Sequence, residues 1–333
     1  MRVVRFVVVF VVLTALVSGF LFYRTMSPYQ GFSGVTYVDL PRGTSSGGMG
    51  TLLAKAGVIR SRFDFVLARV ANRGRVLQAG EYRFDQPASA MDVFRRIARG
   101  DIYYEELIVP EGKNIFDIGA AAQQLGLFKA GEFVAAAADP TMIRDLDPQA
   151  PNLEGYLFPD TYRLSRHTTP EKLCRIMTDK FREAWGDLHA EAGVHDTVTL
   201  ASLVEKESKV AEDRPRIAGV FENRLRIGMK LECDPTTIYA ALLAGQYRGT
   251  IYRSDLDRNH PYNTYSHAGL PPGPIANPGI ESIEAVLHPA TFNALYFVLR
   301  PDGSGEHEFS SNVAAHELAV EKYRRGFHNQ KAR

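Results

Sequence analysis

Tyr37-Val38-Asp39-Leu40-Pro41-Arg42-Gly43, with Gly57-Val58-Ile59 behind it, shares a pattern with Leu107-Ile108-Val109-Pro110-Glu111-Gly112, which has Gly126-Leu127-Phe128 behind it. In both, Pro-x-Gly is followed fourteen positions on by a glycine and two apolar residues. An apolar run stopped by Pro-x-Gly predicts a strand and a tight turn, and the stretch up to the next glycine predicts a helix that this glycine ends. The pair reads as an internal duplication of a small α+β unit, with chance agreement of Pro and Gly punctuation as the alternative. Working outward from the first copy, a helix is expected over 63–70, a strand segment over 77–84, and a helix over 89–99 closed by Gly100. Residues 30–105 then form an α+β module, and 106–150 hold the second strand-turn-helix unit and a linker, Asp139-Pro140 to Pro151. Gly43-Thr44-Ser45-Ser46-Gly47 matches the G-x-S-x-G nucleophile elbow, but the Ser/Gly cluster Gly43–Gly50 has the composition of a flexible connection. A small module also lacks the large parallel sheet that an elbow needs.

Ahead of the module, Phe6 to Tyr23 is a run of 18 uncharged residues, mostly Val, Leu and Phe. As a helix it just crosses the hydrocarbon core. Arg2 and Arg5 precede it and predict a cytoplasmic tail at 1–5, an anchor at 6–23, and export of everything from about residue 30 onward. A cleaved signal peptide competes, with Val17-Ser18-Gly19 as its cleavage site. The apolar stretch continuing to Tyr23 favours the retained anchor.

The 333 residues are 45% hydrophobic and 23% charged, enough for one large or several ordinary domains with real cores and too apolar for wholesale disorder. Lys+Arg 39 against Asp+Glu 38 leaves a net charge of +1, without the basic excess that drives nucleic-acid binding. Cys174 and Cys233 have no CxxC spacing, so zinc knuckles and disulfide scaffolds are excluded, while one bridge between the two stays open.

From residue 151 to 326 helical periodicity dominates. Thr169 and Pro170 open a helix with Leu173, Ile176, Met177, Phe181 and Trp185 on one face. Further helices are expected over 197–211, 215–227, 235–243 and 312–325, and a hairpin over 295–300 and 308–310 turning at Gly303-Ser304-Gly305, leaving 327–333 as a tail. Within Leu200 to Ala211, a helical wheel gathers Leu200, Leu203, Val204, Val210 and Ala211 on one stripe and puts Glu207 in its middle, while Glu205, Lys206 and Lys209 point elsewhere. A carboxyl in an apolar stripe is costly to ionise, so its pKa rises toward the range a general acid needs at neutral pH. A buried ion pair with Arg214, Arg216 or Arg224 is the structural alternative.

Downstream, Tyr262-Asn263-Thr264-Tyr265 precedes Gly269-Leu270-Pro271-Pro272-Gly273-Pro274-Ile275-Ala276-Asn277-Pro278-Gly279. This Pro/Gly density fixes an irregular loop, and the Tyr and Asn beside it offer the flat faces and amide donors that hold sugars. Asp234-Pro235-Thr236 reads as a helix start with Asp234 as cap. His307-Glu308 and His316-Glu317 both fail the H-E-x-x-H spacing, and no G-x-G-x-x-G or Walker loop is present, so no metal and no cofactor is expected.

Leu153-Glu154-Gly155-Tyr156-Leu157-Phe158-Pro159-Asp160-Thr161-Tyr162, Val204-Glu205-Lys206-Glu207-Ser208, Asn223-Arg224-Leu225-Arg226-Ile227-Gly228-Met229, Asp234-Pro235-Thr236, Tyr262-Asn263-Thr264-Tyr265 and Gly269-Leu270-Pro271-Pro272-Gly273-Pro274-Ile275 together resemble the endolytic murein transglycosylases, the MltG or YceG-like family. The resemblance spans about residues 35–325. It implies an α+β architecture: a single N-terminal transmembrane helix, a LysM-like α+β module, and a mainly helical lytic transglycosylase-type catalytic domain with a small sheet. It further implies peptidoglycan glycan strands as substrate, the bacterial inner membrane as location with the catalytic domain outside the cytoplasm, and penicillin-binding proteins and the elongation or division machinery as neighbours. Glu207 is the catalytic residue it implies, with Asn263 and Tyr265, then Asn223 and Arg224, orienting the sugar. The Ser/Gly-rich turn Ser45–Gly50, where the family carries an apolar helix start, and Cys233 before Asp234 are departures.

The implied chemistry needs a single carboxyl, which protonates the glycosidic oxygen and then takes the proton of the muramyl C6 hydroxyl as that oxygen closes a 1,6-anhydro ring. Two rivals stand beside it. One is a hydrolytic muramidase using Glu207 with Asp234 or Glu205; the other is a non-catalytic glycan-binding envelope scaffold.

Overall fold

The computed structural model describes residues 2–190 and 193–331, and the chain divides into two compact units, Met1–Glu105 and Glu106–Arg333. The first opens with α1, Arg2–Met26, 25 residues long and about 37 Å at the usual helical rise. Its side chains are solvent-facing until the last turn, where Thr25 is buried and Met26 packs on the unit's core.

Beyond it come β1 (Thr36–Leu40), α2 (Ser46–Lys55), α3 (Arg62–Ala71), β2 (Gly80–Phe84) and α4 (Ala90–Arg99). β1 and β2 pair antiparallel, Thr36 opposite Phe84 and Leu40 opposite Gly80. Val38, Leu40, Leu53, Phe65, Tyr82, Phe94 and Ile97 fill the core between this ribbon and the helices. The Ser/Gly cluster is not a flexible connection: Ser45 caps α2, its hydroxyl accepting from the Gly48 amide, and Ser46–Gly50 form the first turns. Gly57 ends the unit's first half at φ +73°, and a Cβ there would stand 2.7 Å from the Gly31 carbonyl. No other residue fits.

The second unit begins with β3 (Glu105–Val109), α5 (Ile115–Gln124), α6 (Ala130–Ala137), a 3₁₀ turn at Pro140–Met142 and β4 (Asp160–Leu164), with β3 and β4 paired. Both units therefore contain a β-α-α-β run, and the duplication extends further than the punctuation suggested. Gly43, Gly57, Gly112 and Gly126 all sit at positive φ in matching places. Asp139–Pro151, expected as a linker, is instead packed: Ile143 and Asp147 are buried, and the Tyr156 hydroxyl and the His195 ring bond the Asp147 carboxylate. Polar composition misleads there because the Asp147 side chain is satisfied internally.

Then follow α7 (Pro170–Asp187), α8 (Val194–Glu207), a 3₁₀ turn at Ala211–Asp213, α9 (Arg214–Arg226), α10 (Asp234–Leu243), α11 (Arg253–Leu256), α12 (Ile280–Leu287), the antiparallel hairpin β5 (Tyr296–Leu299) and β6 (His307–Ser310), and α13 (Val313–Lys331). Thr169 caps α7, accepting from the Lys172 amide. α8 is the axis of the unit: Thr197 through Val204 are all buried, and Leu203 and Val204 face the α7 and α9 residues Met177, Phe181, Ile217 and Phe221 across one core. The Pro/Gly loop is pinned over it by Asn277, whose Oδ1 accepts from the Gly155 and Leu157 amides at 2.8 and 2.9 Å while its Nδ2 donates to Lys113 and Glu154. Gly155, at φ +88°, leaves no room for a Cβ beside Pro274.

Candidate active site

α8 stops at Glu207. Ser208 is extended at φ −87°, ψ 132°, so Val210 and Ala211, expected on the same stripe, lie beyond the helix. Glu207 still sits one turn past Leu203 and Val204 on the buried face, and it is carried into a cleft of ≈ 330 Å³ walled by α9, the segment Leu231–Asp234, Tyr265, β5 and α13. It is neither splayed into solvent nor locked to a guanidinium. Arg214 pairs with Glu281 at 2.7 Å, and Arg216 lies over the Phe309 ring. Arg224, buried, donates to the carbonyls of Leu295, Lys230 and Leu231.

The hydrogen bond that Glu207 does receive comes from the Cys233 thiol, Sγ to Oε1 3.1 Å. Burial holds the Glu207 carboxyl above the ordinary range, and the neighbouring Asp234 charge adds to this, while the thiol and Arg224 pull it partly back. Its place at the negative end of α8 acts in the same upward direction. Burial pushes the Cys233 thiol well above its ordinary range, and any charge on Glu207 pushes it in the same direction, so it remains a donor. Two of the motifs hold it there: the Cys233 amide donates to Thr264 Oγ1 at 2.9 Å, and Thr236 Oγ1 donates to the Cys233 carbonyl at 2.6 Å. The preceding residue, Glu232, takes the left-handed conformation at φ +49°, which turns the chain so that Cys233 faces inward and Glu232 outward.

The other residues anticipated from sequence separate. Tyr265 lines the cleft, its hydroxyl donating to Asp234 Oδ1 at 2.6 Å. Arg224 lines the wall but spends its donors on backbone. Asn263 is fully buried, with Nδ2 on the carbonyls of Leu256 and Arg258, and Asn223 Nδ2 donates to those of Phe292 and Ala294. Both amides staple loops and are not free to meet a sugar. Glu205 accepts from Gly279 N and Ser282 Oγ, away from the cleft.

Asp234 corrects another expectation. It is the first residue of α10, behind Cys233 at the cap position, and its carboxylate faces the cleft instead of capping. Its residue pattern pointed first to capping, because Asp-Pro at a helix start is explained without chemistry, and only the muramidase rival gave it a place beside Glu207. Tyr296 and His316, stacked at 5.1 Å, complete the far wall and carried no sequence signal. Among the described residues no three His, Cys, Asp or Glu side chains gather as a metal cage, and Cys174 and Cys233 are both free.

One half-buried carboxyl with a raised pKa, opening on a polar cleft at the end of a buried helix, has the features of a candidate general-acid site on an α+β scaffold. The chain belongs to the YceG-like family, whose profile matches residues 38–322. It is 33% identical over 307 residues to a Bacillus subtilis protein named endolytic murein transglycosylase, covering 86% of this chain and 84% of that one. It is 30% identical over 319 residues to a Streptococcus pneumoniae protein of the same name, of whose length it spans 58%. A 2.6 Å crystal structure of a YceG-like protein from Listeria monocytogenes superposes with a TM-score of 0.55 at 29% identity, covering 85% of this chain and 98% of that one.

Proposed function

We propose that this chain is an endolytic peptidoglycan lytic transglycosylase that cuts the bond between N-acetylmuramic acid C1 and N-acetylglucosamine O4. The carrying observation is Glu207: a carboxyl kept above its ordinary pKa by burial, bonded by a neutral thiol and not ion-paired with a guanidinium, beside an open cleft. The relatives named above act, by their names, on murein.

The proton of Glu207 passes to the glycosidic oxygen, the C1–O4 bond breaks through an oxocarbenium-like state, and the N-acetylglucosamine leaves with its new hydroxyl. Glu207, now ionised, takes the proton of the muramyl C6 hydroxyl while O6 bonds to C1. The acid is restored, and the strand ends in a 1,6-anhydro ring. The nucleophile belongs to the same sugar, so its effective concentration replaces an activated water. The Cys233 donor stabilises Glu207 during its ionised interval. Tyr265 and Asp234, joined by their hydrogen bond, are the groups placed to orient the sugar.

In the first unit, β1-α2-α3-β2 is a LysM-like module for holding glycan, and α1 is a single-pass anchor in the cytoplasmic membrane with Arg2 and Arg5 inside. The catalytic unit then works outside the cytoplasm on nascent strands. Penicillin-binding proteins and the elongation or division machinery are its proposed neighbours.

Asp234 in the cleft favours one second reading, hydrolysis of the same bond with Asp234 activating water. Mass spectrometry of purified glycan after incubation with the full chain separates the two. Anhydro-muramic ends are expected; reducing muramic ends establish the hydrolase, and intact strands that co-sediment with the chain count for a glycan-binding scaffold.

A further inference from the structure

We propose that the solvent-facing side of α3 and the turn after it form a docking surface for anionic phospholipid, lying on the same bilayer that α1 crosses. This rests on the reading of α1 as a membrane anchor and goes beyond it. A surface helix ordinarily turns its polar side to water. α3 is apolar on both sides: its core side carries Phe65 and Ala68 beside Asp64, while Phe63 is 62% and Val70 49% exposed, with the partly buried Val66 and Leu67 between them on the same outward face. Val76, in the turn that follows, is 78% exposed.

Charge frames this apolar stripe. Between Arg60 and Ala79 the chain has five arginines, at 60, 62, 69, 73 and 75, and one carboxylate, Asp64. That carboxylate is taken by Arg24, Nε to Oδ1 2.9 Å. Arg62, Arg73 and Arg75 are exposed, the Arg62 guanidinium lying 4.9 Å from the centre of the Phe63 ring.

The same ion pair sets the depth. Arg24 is the first charge after the apolar run that ends at Tyr23, so it marks the edge of the hydrocarbon, and Asp64 in the first turn of α3 meets it there. Phe63, adjacent in the chain, reaches the zone in which interfacial helices bury their apolar faces, about 5–10 Å into the headgroup boundary. An apolar stripe bordered by arginines at that level is matched by a bilayer with negative headgroups, where each arginine raises partitioning roughly fivefold. The surface would hold the first module flat against the membrane.

The test uses the full chain in nanodiscs of phosphatidylcholine with a phosphatidylglycerol minority. Cys174 and Cys233 are buried, so a thiol-reactive NBD probe goes to one introduced cysteine, Phe63→Cys, or Val12→Cys within α1 as the anchor control. With spin-labelled phosphatidylcholine present, both probes are expected to lose most of their emission. The Phe63→Cys loss should shrink severalfold when phosphatidylglycerol is omitted or when Arg62, Arg73 and Arg75 are changed to Glu. A quenched Val12 probe beside an unquenched Phe63 probe overturns the docking surface and leaves the anchor standing; two unquenched probes overturn both. A blue-shifted but unquenched Phe63 probe means that protein or glycan covers the face and also overturns the proposal, as does quenching indifferent to headgroup and arginine charge.

Discussion

Replacing Cys233 should move the alkaline limit of activity, and the sign depends on the substituent. The thiol donates to the ionised form of Glu207, so it lowers a pKa that burial has raised. A hydrogen bond to a charged group contributes about 1.5–3 kcal/mol, and a thiol, a weak donor, falls below that range at about 1 kcal/mol. At 1.36 kcal/mol per unit, Cys233→Ala should raise the Glu207 pKa by roughly 0.5–1 unit. Cys233→Ser, a stronger donor in the same place, should lower it. Glu207 must be protonated to begin the reaction, so rate falls as pH rises through its pKa. The alkaline limb of the pH profile for anhydro-end release should shift upward for Ala and downward for Ser, with near-ultraviolet circular dichroism reporting an intact fold. Coincident alkaline limbs in all three proteins, with folding unchanged, would refute the assignment of that limb to a thiol-bonded Glu207.

Glu207→Gln should abolish cleavage, whereas Glu205→Gln should retain most of it and lose stability through its contacts with Gly279 and Ser282; equal activity losses count against the helical-face argument. Asn263→Ala should lower the melting temperature, because the carbonyls of Asp255, Leu256 and Arg258 lose their shared donor, at about 1–3 kcal/mol in all, and Tyr265→Phe should leave the melting temperature nearly unchanged while reducing kcat severalfold. Glu154 is fully buried and burial pushes it up to about 8, against an ordinary 4.5. Between those values the folded state keeps a proton that the unfolded state has lost, so stability should decline as pH rises, by at most about 1.4 kcal/mol per unit. Glu154→Gln should flatten that slope in thermal melts of the detergent-solubilised chain at pH 5.5 to 8.5, and an unchanged slope would show that Glu154 is not its source.

The placement of Glu207 in the cleft was legible because helical phase survives even where helix length does not. Leu200, Leu203 and Val204 fix the buried face of α8, and Glu207 follows from them whether or not the helix continues. The helix end was not legible, since Val210 and Ala211 keep the apolar period after the backbone has turned at Ser208. Asn263 and Asn223 show a different limit. An amide has the same donors for a sugar as for a backbone carbonyl, and only the fold reveals that these are already used. Cys233 was invisible for the complementary reason: its role depends on Thr236 and Thr264 from two separate motifs holding one short segment. Asp147 and Ile143 made a packed stretch resemble a linker, because composition does not record which polar groups find partners inside.

The candidate acid stands at the last residue of a helix whose residues from Thr197 to Val204 are all buried. Backbone amides from Thr197 to Val204 should therefore be among the slowest to exchange with deuterated solvent, releasing only when the whole unit opens. A segment so buried is a poor place for regulation by local melting. Control is expected to act on the parts of the cleft wall that meet solvent, Glu232, Asp234, Tyr296 and Phe297, or on delivery of the strand.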